Sequence, residues 1–192
     1  MQTDLIIDNI SKHISLTTLE TEFFISMLTE KKLTKRELLL KEGEVCRHSA
    51  FVTDGGLKGY SIDKTGGEHV LNFAVAGWWI ADMYSLFSQK PGVLLIEALT
   101  DSTVLLLSRE NQELLYKENP KFERFFRILV ENSLVANQQR LLDNLSLSAE
   151  QRYLNFMKKY PFVLNSAPLH SIASYLGITP EFLSKIRRNI AS

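Results

Sequence analysis

The chain has 192 residues, is 45% hydrophobic and 23% charged, and sets 22 Lys and Arg against 22 Asp and Glu. That length allows one domain or two small ones, and no apolar run nears the ~20 residues a membrane helix needs. The start, Met1-Gln2-Thr3-Asp4-Leu5, lacks a basic, apolar leader, so the cytoplasm is the expected compartment.

Residues 1 to about 30 read as helix. Leu5, Ile6, Ile10 and Ile14, then Leu19, Phe23, Phe24, Met27 and Leu28, recur mostly at three- and four-residue spacing, with Ser15 or Thr17 as break and cap. From Lys35 to Ser108 the pattern turns to short strands at 37–41, 50–53, 57–62, 69–74, 94–98 and 103–107. Glycine turns separate them at Glu42-Gly43-Glu44, Asp54-Gly55-Gly56, Asp63–Gly67 and Ala76-Gly77. Strands this short and close predict a small antiparallel barrel or roll. Cys46, the only cysteine, excludes an internal disulfide and argues against a zinc or iron–sulfur site built on several cysteines.

Asn119–Leu145 is the longest helical pattern, opened by Pro120. Phe122, Phe126, Leu129, Val130, Leu134, Leu141, Leu142 and Leu145 form its apolar stripe, broken by Asn132, Ser133, Asn137 and Gln138. A helix of that length spans ~39 Å, more than a small roll needs for cover, so a dimer seam is expected; packing within one subunit is the alternative. Ser146-Leu147-Ser148-Ala149-Glu150 reads as a hinge. Ser148 and Gln151 form a capping box for a helix ending near Tyr160-Pro161.

The last segment pairs two helical patterns around a glycine. Ile172, Ala173 and Leu176 are the buried positions of the first, Leu183 and Ile186 those of the second. Gly177 supplies the left-handed stop, Thr179 a cap, and Pro180 a first residue that needs no backbone donor. Lys185, Arg187 and Arg188 lie in the second helix. The same spacing occurs in any helix pair, but this turn with its one-sided basic residues predicts a DNA-binding helix-turn-helix. Residues 149–192 hold six Lys and Arg against two Glu, and residues 1–148 hold sixteen against twenty acidic residues, so the excess cation is at the reading end.

Roll, long helix, hinge and helix-turn-helix, in that order, resemble the Crp/Fnr family of bacterial transcription regulators. In the roll the resemblance rests on Phe51–Leu57, Asp63–Phe73, Gly77-Trp78-Trp79-Ile80-Ala81-Asp82, Leu86-Phe87 and Ala98–Ser108. It implies an α+β chain with three parts. These are an effector-sensing antiparallel β-roll of the cyclic-nucleotide-binding type with flanking helices (1–118), a dimerisation helix (119–145) and an all-α head (146–192). The β-wing that usually follows the head is expected to be absent, because the sequence stops at Ser192. Family members that bind cyclic nucleotides use a Gly-Glu pair for the ribose and an Arg-Ser pair for the phosphate. Here those places carry Ala81-Asp82 and about Gly92-Val93, so a cyclic phosphate would lack its fixed cation. The expected effector is therefore unknown and not cAMP, with Trp79, Ala81, Asp82, Met83, Tyr84, Gly92 and Val93 as the candidate pocket; the alternatives are that these aromatics are core, which is their commoner role, and that the roll has no ligand at all. Haem through His48 or His69 has nothing to support it, and neither cofactor nor metal is expected.

On the head, the resemblance places base-edge contacts at Thr179, Pro180, Glu181, Phe182, Ser184 and Lys185. Arg187 and Arg188 fall on phosphates, and Ser171 and His170 lie near the DNA backbone. Glu181 suits a cytosine amino group and Lys185 a guanine. Pro180 stands where many members carry a base-reading arginine. The expected function is a homodimeric, sequence-specific regulator on a palindromic site, with RNA polymerase as a possible further partner and no membrane role. The competing reading is a ligand- or partner-binding regulator that keeps the architecture and grips DNA weakly or not at all. An enzyme is not expected, since no nucleophile–base order, metal spacing or phosphate loop appears and the four histidines are scattered.

Overall fold

Residues 2–191 are described by the computed structural model. Two helices lead in, α1 (Asp4–Ser11) and α2 (Thr18–Ser26). Thr17 caps α2 through a reciprocal box: its hydroxyl accepts from the Glu20 amide, and its own amide donates to the Glu20 carboxylate. Lys121 also donates to that carboxylate at 2.8 Å, and these bonds, Lys121 first, pull its pKa from the usual 4.5 to about 2.

Eight strands follow, with one helix among them. They are β1 (Leu28–Leu33), β2 (Leu38–Leu40), β3 (His48–Asp54), β4 (Gly56–Ile62), β5 (Glu68–Val75), β6 (Trp79–Ile80), α3 (Met83–Ser88), β7 (Leu95–Ala98) and β8 (Ser102–Ser108). They form two four-stranded antiparallel sheets, ordered β1-β8-β3-β6 and β2-β7-β4-β5. Leu33, Leu40, Val52, Leu57, Ile80, Ile96 and Val104 fill the space between the sheets. At the β3–β4 corner Gly55 takes φ +79°, and a Cβ there would run into Ser102.

The expected strands are all present, but three features differ from the sequence reading. The first helical segment ends at Ser26, and 28–33 is a strand instead of helix. Its register Leu28↔Leu107 to Leu33↔Ser102 along β8 satisfies a backbone whose own side chains are mostly polar. Two-residue β6 and the helices α4 (Arg109–Glu118) and α7 (Pro161–Ser166) were not foreseen. The long helix α5 (Lys121–Ser146) changes character along its length. Phe122, Phe125 and Phe126 are buried against α1, α2, Phe51 and Leu105, whereas Val130, Leu134, Val135, Leu141, Leu142 and Leu145 are exposed.

The chain then turns through extended Leu147 into α6 (Ala149–Lys159), which has the predicted Ser148–Gln151 box, and on through α7 to α8 (Leu169–Leu176) and α9 (Pro180–Ala191). The head does not hang free. Tyr153, Phe156, Tyr160, Val163, Ile172, Leu176, Leu183 and Ile186 join Tyr60, Val70, Phe73, Leu95 and Leu99 of the roll in one apolar cluster. Every β4 residue from Gly56 to Tyr60 is buried, since its inner face meets the roll interior and its outer face is covered by the head.

Candidate functional site

The α8–turn–α9 unit is built as its sequence predicts. Gly177 takes φ +66° and closes α8, and its amide bonds back to the Ala173 and Ser174 carbonyls. The Thr179 hydroxyl accepts from the Phe182 amide at 3.2 Å, and Pro180 starts α9. Leu183 and Ile186 turn inward, while Thr179, Glu181, Phe182, Lys185, Arg187 and Arg188 are exposed. Glu181, Ser184, Arg187 and Arg188 line a shallow open concavity along one side of α9. The Ser184 hydroxyl is already engaged, donating to the Pro180 carbonyl at 3.0 Å.

Ser171 departs from the sequence reading. It is fully buried and its hydroxyl donates toward Glu68 Oε2 at 3.4 Å, because α8 lays this side on β5. In this arrangement it faces the roll, not a DNA backbone. Neighbouring His170 is exposed, with Nε2 3.5 Å from the same carboxylate oxygen.

Ser171 belongs to a polar joint centred on Glu68. Lys58, 2% exposed, donates to Glu68 Oε2 at 2.8 Å, with Glu97 Oε1 3.8 Å away and the Tyr60 ring centre at 4.1 Å. Burial, together with the bond its hydroxyl donates to Glu97, raises the Tyr60 phenol well above its usual pKa. From the head, Ser174 donates to the Glu68 carbonyl at 2.7 Å and accepts from the Val70 amide at 2.9 Å. Beside it the Phe73 ring contacts Phe156, Tyr160 and Tyr175. A buried ammonium with carboxylates on two sides loses its compensation if one is removed. The bonds of Ser171 and Ser174 tie the head to this side of the roll. A lysine inside an apolar strand was the joint's only mark in the sequence.

The expected effector residues do not converge on a chamber. Trp79 leans outward onto Phe51 and Phe126, at ring distances of 5.2 and 5.6 Å, and is part of the helical packing. Met83, Tyr84 and Val93 are exposed and Ala81 is half-buried. Only Asp82 and Gly92 are buried together. Asp82 caps α3, its Oδ1 accepting from the Ser85 amide at 3.1 Å, and its Oδ2 has no hydrogen-bond partner. Any Cβ at Gly92 would collide with that Oδ2. The two positions that would hold ribose and phosphate thus touch each other.

The Cys46 thiol is buried, and burial raises its pKa. Among the described residues no group of three or more His, Cys, Asp and Glu could hold a metal ion, and no helix is long and apolar enough to cross a membrane.

Comparison with known proteins agrees with this geometry. Residues 30–119 match the cyclic nucleotide-binding domain family. The "Anaerobic regulatory protein" of Pasteurella multocida (strain Pm70) is 24% identical over 168 residues, covering 82% of this chain and 61% of that protein. This chain therefore spans about three fifths of that relative's length. FixK2 of Bradyrhizobium japonicum has the same fold, with a TM-score of 0.74, 20% identity and coverage of 85% of this chain and 84% of that one. The c-di-GMP-responsive global regulator CLP of Xanthomonas campestris gives a TM-score of 0.72 at 13% identity, covering 91% and 92%. In its roll the chain matches the cyclic nucleotide-binding domain, and in its roll, long helix and order of parts it is similar to these bacterial regulators.

Proposed function

We propose that the chain is a dimeric, sequence-specific DNA-binding transcriptional regulator acting in the cytoplasm, with α9 as its recognition helix. The observation that carries this reading is the split face of α9. Leu183 and Ile186 fix the helix to the head, and Glu181, Lys185, Arg187 and Arg188 stand in solvent beyond a capped turn. The working parts are the roll with its leading helices (1–118), α5 as the pairing element (119–145) and the head (146–192). The exposed leucines of α5 supply a two-fold seam, and two heads then read half-sites about 34 Å apart. Phosphate contacts from Arg187 and Arg188 set affinity, while Glu181 and Lys185 read base edges. RNA polymerase is the partner such a dimer would report to.

This reading excludes cAMP bound in the family manner, because a buried Asp82 carboxylate lies against Gly92, at the positions that the resemblance gives to ribose and phosphate. The regulatory proteins among the relatives support the DNA-binding reading, and a c-di-GMP-responsive regulator of the same fold, CLP, is consistent with a signal other than cAMP.

The test is selection of bound genomic fragments followed by gel-shift titration. Lys185→Ala should relax preference at one base pair at a cost of ~1–3 kcal/mol, and Arg188→Ala should weaken all fragments alike. If wild type retains no fragment, the chain is a ligand- or partner-binding regulator instead. If both variants bind like wild type, α9 is not the reading element.

A further inference from the structure

A basic cleft lies away from both the roll interior and α9. A cleft of about 470 Å³ separates the distal half of α5 from α6 and α8. Its walls carry four cations, Arg140, Arg152, Lys158 and Lys159, and a single carboxylate, Asp143. The bonds made by the two arginines go to neutral groups. Arg140 Nη1 donates to the Leu71 carbonyl at 2.7 Å and its guanidinium lies 4.9 Å from the Tyr175 ring centre. Arg152 Nη1 donates to the Asn144 carbonyl at 3.0 Å, and its Nε is buried without a hydrogen-bond partner. Lys159 is held over the Trp78 and Tyr160 rings, at 5.8 and 5.2 Å. Burial and then the charge of Arg140 lower its pKa, and Asp143 opposes them. Asp143 is itself engaged by the Gln139 amide at 2.8 Å.

We propose that this cleft binds a phosphorylated small molecule, with its phosphate oxygens held by Arg140, Arg152, Lys158 and Lys159. Two guanidinium forks and two ammonium groups exceed what one carboxylate can neutralise, and they match a ligand carrying two or more negative charges. The volume is that of an ordinary small-molecule site. The place also has a consequence. On α5, Ala136, Arg140 and Asp143 point away from Leu134, Leu141 and Leu145, because a helix turns 100° per residue. A ligand in the cleft would leave the exposed leucine stripe free. It would tie α5 to α6, and through Arg140 and the Leu71 carbonyl to β5, fixing the head relative to the long helix.

Titration calorimetry of the full chain at low salt, with magnesium-free ATP and with inorganic pyrophosphate, tests this. Saturable binding is expected. Lys159→Gln and Arg140→Gln should each weaken it roughly tenfold, Asp143→Asn should tighten it severalfold, and Lys185→Ala on α9 should leave it unchanged. Equal affinity for both probes identifies free phosphate groups as the ligand chemistry, and clearly tighter ATP identifies a nucleotide. The Asp143→Asn gain cannot arise from damage to the fold. No saturable binding of either probe up to about 1 mM overturns the proposal, as does binding that Lys159→Gln and Asp143→Asn both leave unaltered.

Discussion

Where the roll of a cyclic-nucleotide-binding relative would meet a phosphate, this chain places the buried Asp82 carboxylate against Gly92. Where the head would meet DNA phosphates, it places Arg187 and Arg188 in solvent. The two regions share one apolar cluster, yet the sensor position is closed and acidic and the reading position is open and basic. Under the proposed function, the output surface would be kept while the chain's own side chains fill the position of the input site. The packing that joins roll and head runs through Glu68, Val70 and Phe73 of β5 to Ser171, Ser174 and the rings of Phe156, Tyr160 and Tyr175.

The largest effect should come from cutting that joint. Glu68→Ala leaves the Lys58 ammonium buried with only Glu97 nearby, at 3.8 Å, and should cost about 3–5 kcal/mol. At about 2–4 °C per kcal/mol for a chain of this length, a thermal melt should fall by about 6 °C or more. Hydrogen exchange should rise in α8 before it rises in the sheets. An unchanged melting temperature would mean that the Glu68 carboxylate adds nothing to the joint beyond the Ser174 bonds and the apolar contact. Next comes the seam. Leu141, 60% exposed on a single chain, has no core to serve, so Leu141→Asp should leave the melt of the roll intact while weakening self-association by about 2–4 kcal/mol, read by sedimentation equilibrium. A variant that pairs as wild type does would move the seam elsewhere. The smallest effect is a null one: cAMP should give no saturable heat at micromolar concentrations, and a clear isotherm would show that Asp82 can move aside.

Much of this was readable in the residues because it is local. Thr17 with Glu20 and Ser148 with Gln151 are capping boxes three residues apart, and Gly177-x-Thr179-Pro180 encodes its own turn. The strands of the roll follow apolar alternation between glycines. What escaped was set by distant partners. The 28–33 segment, Leu-Thr-Glu-Lys-Lys-Leu, carries little strand signal and is held by β8, some seventy residues on. Ser171 looks like an exposed helix-start residue until β5 covers it, and Trp79 looks like a pocket wall until Phe126 arrives from α5. Lys58 and the basic cleft were missed for the same reason. Charge counting found Arg152, Lys158 and Lys159 but could not bring Arg140 beside them.

Under the proposed function, two copies of α9 read a two-fold DNA site. Footprinting on a selected genomic fragment tests it most directly. Two protected half-sites about 34 Å apart, both lost together in Leu141→Asp, are the predicted result. Protection of a single half-site that survives Leu141→Asp, or no protection at any protein concentration, would contradict it.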